Sequence, residues 1–123
     1  MYFRHVDKDM IIYKNENEQT IMSIREELSN DNNYWNLTVA GRLYGKMTKQ
    51  FMDELDPIIN GNQSIIIDFE NVTFIESDVL RILLDAQNKI EEDNRRFFEI
   101  INPNVEVMKI FRDTGFDQLL NIK

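Results

Sequence analysis

Ser77 is the residue of this chain whose type and position best suit chemistry. It follows an aliphatic run at residues 65–69 and a short polar link, and it precedes a segment with helical spacing of apolar residues. A serine at the start of a helix presents its hydroxyl at the positive end of the helix dipole. Serine is a preferred helix N-cap, and the same position also favours a phosphate. The sequence therefore leaves two roles open for Ser77, a structural cap and a phosphorylation site.

Residues for enzymatic chemistry are few. The chain has no cysteine and one histidine, His5, near the N-terminus. A serine nucleophile needs a positioned base, and the chain has no glycine-rich phosphate loop or metalloprotease motif. Adjacent carboxylates such as Glu26 and Glu27 are typical of a solvated surface. We therefore predict a protein that is not an enzyme, with no catalytic residue, no metal site and no cofactor.

Composition limits the class of protein and of partner. A length of 123 residues with 42% apolar residues suits one domain with one core. The net charge of −8 disfavours binding to nucleic acid. No apolar run is long enough to cross a bilayer, and the charged N-terminus lacks the apolar core of a signal peptide. We expect a cytoplasmic protein without a membrane or nucleic-acid partner, and the oligomeric state stays open.

The pattern of apolar residues predicts an α/β fold. Two alternating segments, at residues 20–28 and around 35–40, predict an antiparallel hairpin. Beyond it, helical and strand patterns alternate, which implies parallel strands joined by right-handed crossovers. The predicted elements are a helix from Met47 to before residues 60–62, a strand at 65–69, a helix at 77–92, a strand at 97–101 and a last helix ending at Gly115.

The same pattern predicts the start of the last helix and the residues of the core. Asn102 is expected to cap the last helix, with Pro103 in its first turn and Val105 facing inward. Residues 1–19 precede the hairpin as an extension, either an edge strand or a loose arm, so the main domain is expected at residues 20–123. The predicted core includes Phe51, Leu55, Ile65, Ile67, Leu83 and Phe111.

Three segments carry a resemblance to a known family. Residues 72–77, Val-Thr-Phe-Ile-Glu-Ser, are followed by Leu80; residues 39–43 read Val-Ala-Gly-Arg-Leu; and residues 102–116 run from Asn-Pro-Asn-Val to Asp-Thr-Gly-Phe. In order and spacing they are similar to motifs of the sulfate-transporter and anti-sigma-factor-antagonist (STAS) domain, over roughly residues 20–123. The resemblance implies a small mixed sheet with an N-terminal hairpin, then β-α-β-α-β-α units, with the helices mainly on one face.

The resemblance also implies a site. In this family the serine that corresponds to Ser77 is phosphorylated by an anti-sigma-factor kinase, and Arg81, one turn further on, is placed to meet the phosphate or to pair with Asp78 or Asp85. The expected partner-binding residues are Tyr44, Gly45, Glu76, Ser77, Asp78 and Arg81.

This chain departs from the family motif beside Ser77. Asp78 stands in place of a second serine, Val79 in place of a glycine, and Tyr44 in place of a frequent aspartate. Asp78 adds a permanent charge that disfavours a neighbouring phosphate, and we expect Val79 to restrict the approach of a partner's backbone.

The resemblance implies an anti-sigma factor antagonist that binds an anti-sigma factor, a serine kinase, and so releases a sigma factor. Two alternatives remain. One is a scaffold or interaction module that has lost phosphoregulation, which the departures at Asp78 and Val79 favour. The other is a sensor of a nucleotide or another small ligand.

Overall fold

Six strands form one mixed sheet in which the spatial order of the strands equals their order in the chain. The computed structural model describes residues 1–123. The strands are β1 (Tyr2–Asp7), β2 (Met10–Asn15), β3 (Thr20–Leu28), β4 (Tyr34–Leu43), β5 (Ser64–Ile75) and β6 (Phe98–Ile101). The helices are α1 (Lys46–Ile59), α2 (Ser77–Glu91) and α3 (Val105–Thr114), followed by a 3-10 turn at Phe116–Gln118.

The direction of the strands changes at β4. Strands β1 to β4 pair antiparallel, whereas β4, β5 and β6 pair parallel. The parallel pairs are joined by α1 and α2, and right-handed crossovers place both helices on the same face of the sheet. The predicted fold class is confirmed.

Side-chain burial shows which face of the sheet the helices cover. On β4, Leu37 and Val39 are buried, whereas the alternating Asn36 and Thr38 remain partly exposed. The buried apolar residues of the sheet and the helices form one cluster of 27. The six predicted core residues all belong to this cluster and are at most 2% exposed.

Residues 1–19 contain the hairpin β1–β2, which adds two strands beyond β3. Arg4 donates from Nε and Nη2 to the two carboxylate oxygens of Glu54 on α1, at 2.9 and 3.0 Å. The hydroxyl of Tyr13 donates to the same carboxylate at 2.8 Å. The hairpin is therefore held both by backbone pairing and by polar contacts with α1. The division of the chain at residue 20 stays a prediction.

Two local predictions are wrong. The strand predicted at 65–69 continues to Ile75. Its register with β4 shifts at two places, and the strand is not interrupted at the polar residues 70–71. The last helix is capped by Asn104, whose Oδ1 accepts from the backbone N–H of Val107 at 3.0 Å. Asn102 instead lies in the left-handed region, with φ 57°.

The later cap changes which side chains of α3 face the core. Val105 is 84% exposed, while Val107 and Phe111 are fully buried. Asn102 and Asn104 flank Pro103 symmetrically, and either asparagine can cap a helix. The choice between them moves the helix start by two residues. Phe111 faces the core as predicted, but the buried valine is Val107 and not Val105.

Candidate functional site

The candidate residues meet at the carboxyl ends of the parallel strands β4 and β5. Leu43 and Ile75 are register partners, and the backbone N–H of Glu76 donates to the carbonyl of Leu43 at 3.1 Å. The loop containing Tyr44 and Gly45 and the link at Glu76 are therefore neighbours. In open α/β sheets this end is where ligands and partners commonly bind.

Ser77 is the first residue of α2 and not its cap, so the capping role considered for it is wrong. The N-cap position belongs to Glu76, which has extended backbone (φ −91°, ψ 168°) and makes no side-chain cap bond. The Glu76 carboxylate instead accepts a hydrogen bond from the Thr48 hydroxyl at 2.6 Å. The side chain of Ser77 is exposed to solvent.

Arg81 lies one turn beyond Ser77 on α2 and is exposed. It forms no ion pair, neither with Asp78 nor with Asp85. Asp78 is also exposed and occupies the first turn of α2, where a negative charge is favoured by the helix dipole. The start of α2 thus exposes a hydroxyl, a carboxylate and a guanidinium that forms no ion pair.

Val79 does not reach the surface around Ser77. Its side chain is fully buried in the core. The expectation that it restricts a partner's approach is wrong, because the first turn of α2 directs this position toward the sheet. Of the two departures on α2, Asp78 is therefore the one that changes the exposed surface.

Tyr44 belongs to an exposed aromatic cluster that the sequence does not reveal. Tyr44 is 51% exposed, and its ring stands edge-on to that of Phe74 with centroids 6.0 Å apart. The guanidinium of Arg42 lies 5.0 Å from the Tyr44 centroid and 5.2 Å from that of Phe74. Arg42 and Phe74 are register partners of β4 and β5. This register places Arg42 beside Phe74, and the sequence alone does not specify it.

Four of the six expected partner-binding residues line one groove of about 440 Å³ between the first halves of α1 and α2. These four residues are Gly45, Glu76, Asp78 and Arg81. Ser77 and Tyr44 adjoin them in the chain. Gly45 begins α1 with φ 59° and ψ −132°, a conformation that favours glycine.

The lone histidine stands apart from this groove. His5 lies on β1, an edge strand separated from β4 by β2 and β3. No group of three or more Asp, Glu or His side chains is arranged to hold a metal ion. The arrangement is a solvent-facing groove with the exposed Ser77 next to its lining residues Glu76 and Asp78.

The sequence model of the Mlab-type STAS domain matches residues 26–121. This match covers most of the chain, and the chain belongs to the STAS domain family. It begins within β3, so β1 and β2 lie outside the matched residues. No curated protein is significantly similar to the chain in sequence.

Solved structures with a similar fold include anti-sigma factor antagonists. The unphosphorylated form of SpoIIAA is 20% identical, with a TM-score of 0.66 over 81% of this chain and 87% of that one. An anti-sigma factor antagonist from Mycobacterium paratuberculosis is 16% identical, with a TM-score of 0.72 over 82% and 84%. The phosphorylated form of the Bacillus SpoIIAA is 20% identical, with a TM-score of 0.60 over 81% and 90%. At these identities the likeness shows a shared fold.

None of the three helices is both long and apolar enough to cross a membrane.

Proposed function

We propose that this chain is an anti-sigma factor antagonist that binds an anti-sigma factor, a serine kinase, through the surface around Ser77. The observation that carries the proposal is the exposed hydroxyl of Ser77 at the start of α2, with Arg81 unpaired one turn away. The contact residues in this proposal are Tyr44, Gly45, Glu76, Ser77, Asp78 and Arg81. The kinship with the STAS family and the fold shared with SpoIIAA support it.

Phosphorylation of Ser77 would act on this surface by charge. A phosphate adds between one and two negative charges and three acceptor oxygens. The α2 dipole and Arg81 favour the phosphate itself, while Asp78 and Glu76 oppose it. A kinase surface that fits the unmodified serine would meet this new charge and bind less tightly. The kinase would therefore release the antagonist after modifying it.

On this proposal the chain acts by binding and has no catalytic turnover of its own. The exposed serine has no histidine near it, and the only histidine is on the far edge strand. Its partner and the sigma factor are cytoplasmic components of a bacterial transcription switch, so the protein would act there. A screen with ester, phosphate and nucleotide substrates tests this; turnover abolished by Ser77→Ala would contradict it.

A second candidate function is an interaction module without phosphoregulation. The specific observation in its favour is Asp78, exposed beside Ser77 with no cation paired to it. This carboxylate is permanently present and raises the electrostatic cost of a phosphate on Ser77. In that case the same surface would bind a partner, and phosphorylation would not regulate this binding.

One experiment separates the two candidates. The chain is incubated with ATP and the anti-sigma kinase encoded nearest to its gene, and modification at Ser77 is followed by mass spectrometry. Binding to the kinase is measured in parallel for Ser77→Asp, Ser77→Ala and the control Asn88→Asp, an exposed charge change further along α2. The switch predicts modification and weaker binding for Ser77→Asp alone. Binding without modification, equal for all three variants, supports the unregulated module; no binding to this kinase contradicts the switch.

A further inference from the structure

A second cavity, of about 530 Å³, lies beside the groove, between the start of β3, the end of β4 and the first turn of α1. Half of its lining residues are hydrophobic, among them Ile21 and Met47. Cavities of this size and character are typical of sites for small molecules. Tyr44 and Gly45 line it as well, so it shares a wall with the proposed partner surface.

The charge of this cavity is opposite to that of the protein. Among the side chains that line it, only Arg42 and Lys46 are charged, and both are positive. Met1 also lines it, and its terminal ammonium lies 3.6 Å from the carboxylate of Glu16. The chain as a whole carries −8. Neither cation is paired with a carboxylate. Two unpaired cations beside an apolar wall favour a ligand that has a negative head and an apolar body.

The guanidinium of Arg42 is held in place before any ligand binds. It stacks against two rings, at 5.0 Å from the Tyr44 centroid and 5.2 Å from the Phe74 centroid. These contacts restrict the side chain without using its hydrogen-bond donors. An arginine oriented in this way loses less conformational entropy when it binds a carboxylate or phosphate with two parallel bonds.

We propose that this cavity binds a small organic anion with an apolar body. Its carboxylate or phosphate head would contact Arg42 and Lys46, and its body would lie against Ile21 and Met47. The inference rests on the cavity and its charge and is independent of the proposed function. Because Tyr44 borders both sites, an occupied cavity would also alter the neighbouring partner surface.

Three probes of matched chemistry test the proposal on the full chain by amide NMR titration. Octanoate carries both the head and the body; octanol lacks the charge, and acetate lacks the body. We expect octanoate to shift the amides of Thr20, Gly41 and Gly45, and octanol and acetate to bind at least tenfold more weakly. Shifts that map elsewhere, no shift with octanoate, or octanol binding as tightly as octanoate would overturn the proposal.

Substitutions identify the cations that bind the head group. Arg42→Gln and Lys46→Gln should each weaken octanoate binding by about tenfold, the effect of losing one charge-assisted hydrogen bond. Lys49→Gln is the matched control, since Lys49 is the next lysine of α1, pairs with Asp53 at 2.7 Å and lies outside this cavity. The amide spectrum of each variant reports whether it is folded. Equal octanoate affinity in all three variants would contradict the assignment.

Discussion

The hydroxyl of Thr48 donates a 2.6 Å hydrogen bond to the carboxylate of Glu76, and so joins the first turn of α1 to the residue that precedes α2. Thr48 is 6% exposed, so this bond is largely shielded from water. The two residues are 28 positions apart in the chain and line the same groove. The bond fixes the two sides of the candidate partner surface relative to each other.

Thr48→Val should remove this bond while keeping the volume of the side chain. We expect a loss of about 1–2 kcal/mol in the free energy of unfolding, because the Glu76 carboxylate loses a charged hydrogen bond in a partly buried place. Thr48→Ser retains the hydroxyl and is the control. Denaturant melts measure both variants. Equal stability of the valine and threonine proteins would show that water replaces the bond at no cost.

Gly41 is required at the bulge near the end of β4. Its φ is +109°, and a Cβ built there would lie 2.4 Å from the carbonyl oxygen of Ile21. Gly41→Ala combines backbone strain with a backbone clash, and we expect a loss of roughly 2–6 kcal/mol. Gly61→Ala is the control, since Gly61 does not have a positive φ and its nearest contact is the side chain of Gln63. Thermal or urea unfolding distinguishes the two, and similar losses would contradict the assignment of strain.

The contact between Arg4 and Glu54 should stabilise the N-terminal hairpin. The Glu54 side chain is 11% exposed, so Arg4→Met leaves a shielded carboxylate with fewer donors. We expect a loss of about 1–3 kcal/mol and faster hydrogen exchange of the β1 amides. The control is Arg95→Met. Arg95 is 89% exposed in its ion pair with Asp93, so its replacement should change stability little. Unchanged exchange in β1 would show that strand pairing alone holds the hairpin.

Glu26 should make stability depend on pH. Its pKa is raised, mainly by burial and further by the charge of Glu54, with Arg4 acting in the opposite direction. A raised pKa means that the folded state binds a proton more readily than the unfolded state, so this contribution to stability grows as the pH falls from 7 and is lost as the pH rises.

Glu26→Gln should therefore be more stable than the parent at pH 7, by about 0.5–1 kcal/mol for a partly exposed group. The difference should shrink toward pH 4, where Glu26 itself becomes protonated. Melts at pH 7, 5.5 and 4 measure this trend. Glu27→Gln, at an exposed neighbouring position, is the control. A gain that persists unchanged at pH 4 would argue against titration of Glu26.

Apolar periodicity was enough to predict most of the fold. The spacing of Phe51 and Leu55, and of Leu83 with its neighbours, predicts helices whose inward faces are buried in the structure. The cap of α3 could not be predicted, since Asn102 and Asn104 have equal capping chemistry. The length of β5 could not be predicted either, because irregular pairing carries the strand past polar residues.

The sequence predicted those residues of the site that belong to the motif around Ser77. Its neighbours across the sheet were not, since Arg42 and Phe74 meet through the register of β4 and β5. Val79 shares the apolar face of α2 with Leu83, so its burial follows from the helical spacing, and only its expected effect on the partner surface was wrong.

The burial of Val79 determines how the proposed switch at Ser77 should be tested. Restoring the family motif at both positions would remove a fully buried side chain, and Val79→Gly should cost roughly 2–5 kcal/mol. Asp78→Ser alone changes an exposed residue and should cost less than about 1 kcal/mol, chiefly through the lost interaction with the α2 dipole.

If Asp78 is what limits the switch, Asp78→Ser should be phosphorylated at Ser77 faster than the parent chain by the same kinase. Ser77→Ala should cost little stability, because the Ser77 hydroxyl caps nothing, and it provides the background level of modification. Mass spectrometry over a time course measures all three proteins. Equal rates for Asp78→Ser and the parent would show that the charge of Asp78 does not limit phosphorylation. A stability loss of more than about 1 kcal/mol in Ser77→Ala would contradict the absence of a capping role.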